Sequence, residues 1–160
     1  EENMADTVLN TIVFDGAKKL ITHYNNVSDS SGGSTKIVDV SDLASNNGKT
    51  CKTVRLNKVS FNVSVTAPAD AVRLLWDATT DVAFQTLAGE MAFDYSDFGG
   101  LKNTKASGYS GDVNLTLPAC TAGDTGTVVC EWIKVYEEEA KWLILLLEQL
   151  HSIKLFLLMK

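Results

Sequence analysis

A chain of 160 residues with 45% hydrophobic and 21% charged residues has the composition of one soluble globular domain, long enough to bury a core without a metal or disulfide staple. Its net charge of −6, with 14 scattered basic residues and Lys18-Lys19 as the one adjacent basic pair, argues against a sequence-independent grip on nucleic acid, which needs clustered cations. Three cysteines, Cys51, Cys120 and Cys130, with two histidines and no C-x-x-C, suit neither a zinc site nor a disulfide framework; buried free thiols are expected, although Cys120 and Cys130 could meet across a hairpin.

The polar start Glu1 to Asp6 shows no apolar leader, and Met4-Ala5 reads as a native start with Glu1 to Asn3 as an expression or a processing remnant. Val8 to Phe14 is apolar and β-branched and stops at Asp15-Gly16, a turn signal. Lys19 to Val27 reads as the returning strand. Ser28 to Ser34 is a loop by composition, Lys36 to Val40 a short alternating strand, and Ser41 to Lys49 a loop with Asn46-Asn47-Gly48 at its tip. Thr50 to Thr66 carries the clearest period of two, with Val54, Leu56, Val59, Phe61, Val63 and Val65 apolar. The alternation slips at Asn57-Lys58, which predicts a β-bulge or a bend between two strands.

Ala71 to Trp76 is a strand, Asp77 to Asp81 a polar turn, and Val82 to Phe93 strand-like with an interruption at Gly89-Glu90. Asp94 to Ser110 is rich in loop residues. Asp112 to Leu117 alternates again, Ala122 to Gly126 is a tight turn, and Thr127 to Tyr136 is the last strand. About eight short strands with no helical period between them predict an all-β fold. The expected form is an antiparallel β-sandwich or jelly-roll-like domain over residues 4–136, with one face of each sheet in water.

Residues 137–160 differ in kind. They hold eight leucines, against ten in the 136 residues before them, and no Gly or Pro. Glu137-Glu138-Glu139 suits the start of a helix, so an apolar C-terminal α-helix is predicted, about 35 Å long. Glu148, Gln149, His151, Ser152 and Lys154 interrupt it, which makes it a poor membrane span. A helix this apolar is expected to pack within its own domain or between copies. Its expected protein-interface residues are Trp142, Leu143, Leu146, Leu147, Leu150, Ile153 and Leu157.

Reactive chemistry finds little support in the sequence. No G-x-S-x-G elbow or P-loop occurs, and His23 and His151 fall on a strand and on the predicted helix. Asp77, Asp81, Asp94, Asp97 and Asp112 could serve as paired acids of a glycosidase or as calcium ligands. Aspartate is also the default turn residue, and that reading is preferred. Trp76, Tyr95, Phe98 and Tyr109 could form a binding surface for sugars or peptides, or close the ends of the core. No cofactor or metal and no catalytic residue is expected.

Several segments resemble a family of small virion structural proteins of tailed bacteriophages. They are Met4-Ala5-Asp6-Thr7, Val72 to Thr79, Asp97 to Asn103, Ser110 to Thr116 and Thr121 to Thr125, and the similarity spans about Met4 to Tyr136. The resemblance implies a non-catalytic capsid decoration (cement) protein with a jelly-roll-like body. Such proteins commonly sit as trimers on the outer shell and clamp capsomers. It therefore implies self-association, a major capsid or other virion protein as partner, no nucleic acid or membrane partner, and location in the virion after assembly in the host cytoplasm. The alternative is a carbohydrate-binding or adhesion module of a fibre or cell-surface protein. A sandwich-type polysaccharide enzyme stands further off.

Overall fold

The computed structural model describes residues 7–104 and 107–136. The predicted C-terminal helix, with its interface residues Trp142 to Leu157, lies outside the described residues. Nine strands are described: β1 (Thr7–Asp15), β2 (Lys19–Val27), β3 (Gly33–Val38), β4 (Cys51–Ser64), β5 (Val72–Trp76), β6 (Val82–Leu87), β7 (Gly89–Asp94), β8 (Val113–Leu117) and β9 (Thr125–Tyr136). They form a five-stranded sheet in the order β1-β2-β9-β4-β7 and a four-stranded sheet in the order β3-β8-β5-β6. Every pairing is antiparallel. The body is thus the antiparallel, jelly-roll-like β-sandwich that the alternation predicts.

The period-two segments bury one side each. In β4 the inward positions are Val54, Leu56, Val59, Phe61 and Val63, and in β9 they are Val128, Cys130, Trp132 and Lys134. The four-stranded sheet answers with Val72, Leu74, Trp76, Val113, Leu115 and Leu117. Each fully buried aliphatic side chain of this set stabilises the fold by about 2 kcal/mol. Trp132 is fully buried, and its indole N–H donates to the Thr22 hydroxyl at 3.0 Å, so its polar atom is satisfied inside the core.

The slip at Asn57-Lys58 is a β-bulge: the β4–β9 register shifts between Leu56 and Lys58. Several sequence boundaries move. The first strand after the serine-rich loop begins at Gly33 and ends at Val38, because Asp39 caps a 3-10 turn over Val40–Asp42 through Ser41 N. Val82 to Phe93 is two strands, with only Ala88 between them, and they belong to different sheets. Gly89, at φ 77°, supplies the left-handed turn that this crossing needs. Cys51, Cys120 and Cys130 are buried free thiols, and burial pushes the Cys130 thiol well above its ordinary value.

Lys134 occupies an inward position of β9, with its side chain 0% exposed. Its ammonium bonds Asp15 Oδ1 at 2.5 Å and the Ala44 carbonyl at 2.6 Å. Asp15 Oδ2 in turn accepts the Ala44 N–H at 2.6 Å. Removing one member of such a pair strands a charge away from water. Lys134→Met is expected to cost about 3 kcal/mol in urea unfolding followed by tryptophan fluorescence, despite its matched length. Lys134→Met with Asp15→Asn should recover part of that loss, because the amide oxygen can still accept from Ala44.

Candidate functional site

The outward side of the five-stranded sheet can be read as rows of side chains, because directly paired residues share a face. One row runs Leu9, Asn25, Thr127, Asn62, Glu90. The next runs Thr11, His23, Val129, Ser60, Ala92, and a third holds Ile21, Glu131, Lys58 and Asp94. Side chains in the middle row shrink toward β7, so the surface sinks there. Two adjoining hollows of 570 and 360 Å³ result, and both are lined by Ser60, Ala92 and Val129. The larger adds Phe61, Asn62, Glu90, Met91 and Thr127, and the smaller adds Ile21, Lys58, Val59, Phe93, Asp94 and Glu131.

Lys19, Lys58, Asp94 and Glu131 beside the trough are paired with one another, while Glu90 lines the larger hollow. Lys19 bridges Glu131 at 2.9 Å, Asn57 donates to Glu131 at 2.6 Å, and Lys58 bridges Asp94 at 2.7 Å. The Lys19 hydrogen bond lowers the Glu131 carboxyl against the opposing effect of burial, and the Lys58 ammonium holds Asp94 well below the usual carboxylate range. The residues shared by the two hollows, Ser60, Ala92 and Val129, are uncharged, although the chain carries −6. His23 and Ser60 share a row but stand on strands separated by β9, about 10 Å apart by strand spacing. That is too far for a base to activate a hydroxyl.

The loop aspartates divide. Asp77, Asp81 and Asp112 come together at one end of the four-stranded sheet around Lys36 and Asn114. Lys36 Nζ lies 2.6 Å from Asp112, 3.8 Å from Asp39 and 4.0 Å from Asp77. Asn114 donates to Asp77 at 3.3 Å and to Asp81 at 3.1 Å. The other Asp112 oxygen accepts the Val40 N–H at 2.9 Å, and Asp77 accepts the Ser110 hydroxyl at 2.7 Å. These carboxylates tie loops together, as turn aspartates do. Asp94 and Asp97 stand elsewhere, Asp94 at the end of β7 and Asp97 in the following 3-10 turn. Among the described residues no group of three or more His, Cys, Asp and Glu side chains is placed to hold a metal ion.

The loop aromatics mostly close the core. Trp76 is 3% exposed, stacks on Phe84 at 3.8 Å and meets the edge of Tyr109 at 5.6 Å. Tyr109 is half-buried; its hydroxyl accepts from Thr53 at 3.0 Å and donates to the Gly111 carbonyl at 3.1 Å. Gly111 is obligatory at φ 101°, since a Cβ there would stand 2.1 Å from the Lys52 carbonyl oxygen. Tyr95 donates to Gln85 at 2.8 Å and carries the well-exposed Phe98 beside it, with ring centroids 5.9 Å apart.

No protein-family model and no curated protein matches the chain. Among solved structures it is similar to a cupin domain from Bordetella pertussis Tohama I, at 15% identity and a TM-score of 0.34, over 82% of this chain and 97% of that one. The sandwich described above rests on its own strand order and register.

The trough was not singled out in the sequence. Its one signal there is that the outward positions Ser60, Asn62 and Ser64 are small and uncharged, where a solvated strand more often carries Lys or Glu. Burial pushes the Tyr109 hydroxyl up to about 12, against the Thr53 hydrogen bond. A raised folded value means that the neutral phenol adds stability fully below the ordinary tyrosine value of 10.0, and this is lost as pH rises through about 12. Ultraviolet titration is expected to show one late tyrosine step near that pH, absent in Tyr109→Phe.

Proposed function

We propose that this chain is a non-catalytic virion structural protein of a tailed bacteriophage, a capsid decoration protein that works by protein–protein contact. The observation that carries the contact reading is the outward face of the five-stranded sheet, a shallow surface centred on the uncharged Ser60, Ala92 and Val129, with Lys19–Glu131 and Lys58–Asp94 paired beside it and Glu90 at its rim. Five strands by about eight residues give a footprint of about 20 by 25 Å. That is about two thirds of the ~800 Å² that one partner contributes to a standard interface. Serine, threonine, asparagine and alanine lose little side-chain entropy when covered, so such a face suits docking. The segments quoted above as resembling phage particle proteins supply the virion part of the reading. The partners are a second copy of the chain and the major capsid protein or another virion protein. A carbohydrate-binding module would need exposed rings with polar neighbours; Trp76 and Tyr109 face the core instead.

Light scattering of the full chain at micromolar concentration should show self-association, and Ala92→Arg or Ser60→Arg should reduce it to a monomer without loss of secondary structure. A chain that is monomeric throughout this range, or whose association ignores both arginines, overturns the assignment of this face.

A further inference from the structure

The outward face of the five-stranded sheet has relief as well as chemistry. At one margin β1 raises Leu9 and Phe14, 51% and 50% exposed, on the same side as Asn25 and Ile21, their partners on β2. Thr11 stands between them, and no charge interrupts β1 before Asp15. Toward the other margin the face sinks into the two hollows over β4, flanked by β9 and β7. Ridge and trough are three strand spacings apart, about 14 Å.

Their heights along the strands agree. Leu9 lies in the row of Asn25, Thr127 and Asn62, and the last two line the larger hollow. Phe14 lies in the row of Ile21, Glu131 and Lys58, all of which line the smaller hollow. One residue more separates Leu9 from Phe14 than Asn62 from Lys58, and the register shift between Ile12 and Phe14 absorbs it. A two-fold axis parallel to the strands, midway between ridge and trough, turns this face onto itself and lays β1 of each copy over β4 of the other. Each apolar projection then meets a hollow. The Lys58–Asp94 and Lys19–Glu131 pairs enter the contact already matched, so covering them strands no lone charge. Glu90, on β7, falls beyond the β1 margin of the opposing copy and keeps its water.

We propose that a second copy of this chain packs face to face on this sheet, with Leu9 of each copy in the larger hollow of the other and Phe14 in the smaller. The two sheets pack aligned, about 10 Å apart. The inference rests on the docking face proposed above and adds to it the symmetry and the two side chains that fill the trough. The contact uses the face of β1 and not its free edge, and an isologous contact of this kind closes at the dimer.

Light scattering over a dilution series tests it. Leu9→Ser, counted twice by the symmetry, is expected to weaken the dimer about tenfold with circular dichroism unchanged. Val8→Ser, whose side chain leaves the opposite side of the same strand, should leave the dimer as it is. Equal weakening by both, or by neither, overturns the arrangement. As a second readout, Leu9→Cys with Asn62→Cys, treated with a short bismaleimide, should give a covalent dimer. The native thiols are buried, and the two positions are too far apart to be joined within one copy. Leu9→Cys alone should give none. No covalent dimer from the pair, or equal linking by Leu9→Cys alone, as edge-to-edge pairing of β1 would produce, sinks the proposal. If Ala92→Arg still dissociates the chain in that case, the docking face stands and only this geometry falls. A chain that is monomeric from the start removes both.

Discussion

The buried ammonium of Lys134 joins three segments that share little else. It stands where the alternation of β9 calls for an apolar side chain, between Trp132 and the end of the strand. Burial disfavours its charge, yet the hydrogen bonds to Asp15 and Tyr136 outweigh that cost and raise its pKa above the ordinary lysine value. Through Asp15 it holds the end of β1, and through Ala44 it holds the long loop before β4. Lys134 N also donates to the Lys18 carbonyl at 2.9 Å, which closes the β1–β2 turn onto β9. Since β1 is exposed along most of its length, this corner does much to fix its position.

The two long sides of the sandwich are closed by different means. On one side the chain itself passes between sheets at Ala88, so β6 and β7 form a covalent seam. On the other side β1 and β3 face each other across an open edge, bridged by Asn10 Nδ2 donating to the Lys36 carbonyl at 3.0 Å. A seam that cannot open and an edge held by few bonds divide the molecule into a rigid flank and an accessible one. The shallow trough lies toward the rigid flank, where Ala92 and Ser60 sit between the fixed strands β7 and β9.

Local patterns in the sequence carried the local structure. The slip at Asn57-Lys58 marked a real bulge, and Gly89-Glu90 marked a real interruption. Periodicity tells which side of a strand is buried, but not which sheet the strand joins, so the crossing at Ala88 was beyond its reach. Turn chemistry likewise gave each aspartate its local role, as with Asp94 accepting from Ser96 and Asp39 from Ser41. The gathering of Asp77 and Asp112 about Lys36, and of Asp77 and Asp81 about Asn114, depends on β3, β5 and β8 becoming neighbours. Lys134 and Asp15 are 119 positions apart, and no window of sequence relates them. The trough was invisible for the same reason: Ser60, Ala92 and Val129 are unremarkable singly and matter only once register sets them in one row.

The four edge strands of the sandwich are treated unequally, and that inequality bears on what the surface is for. β7 carries Glu90 and Asp94, the latter paired to Lys58, and is joined covalently to β6. β3 carries Lys36 and a register shift between Lys36 and Val38, both of which oppose further pairing. β1 has a register shift between Ile12 and Phe14 but no charge before Asp15. Two edges are thus guarded by charge, while β6 carries none along its length and β1 none before Asp15, so pairing at those two edges is limited by the covalent link of β6 to β7 and by the register shift in β1.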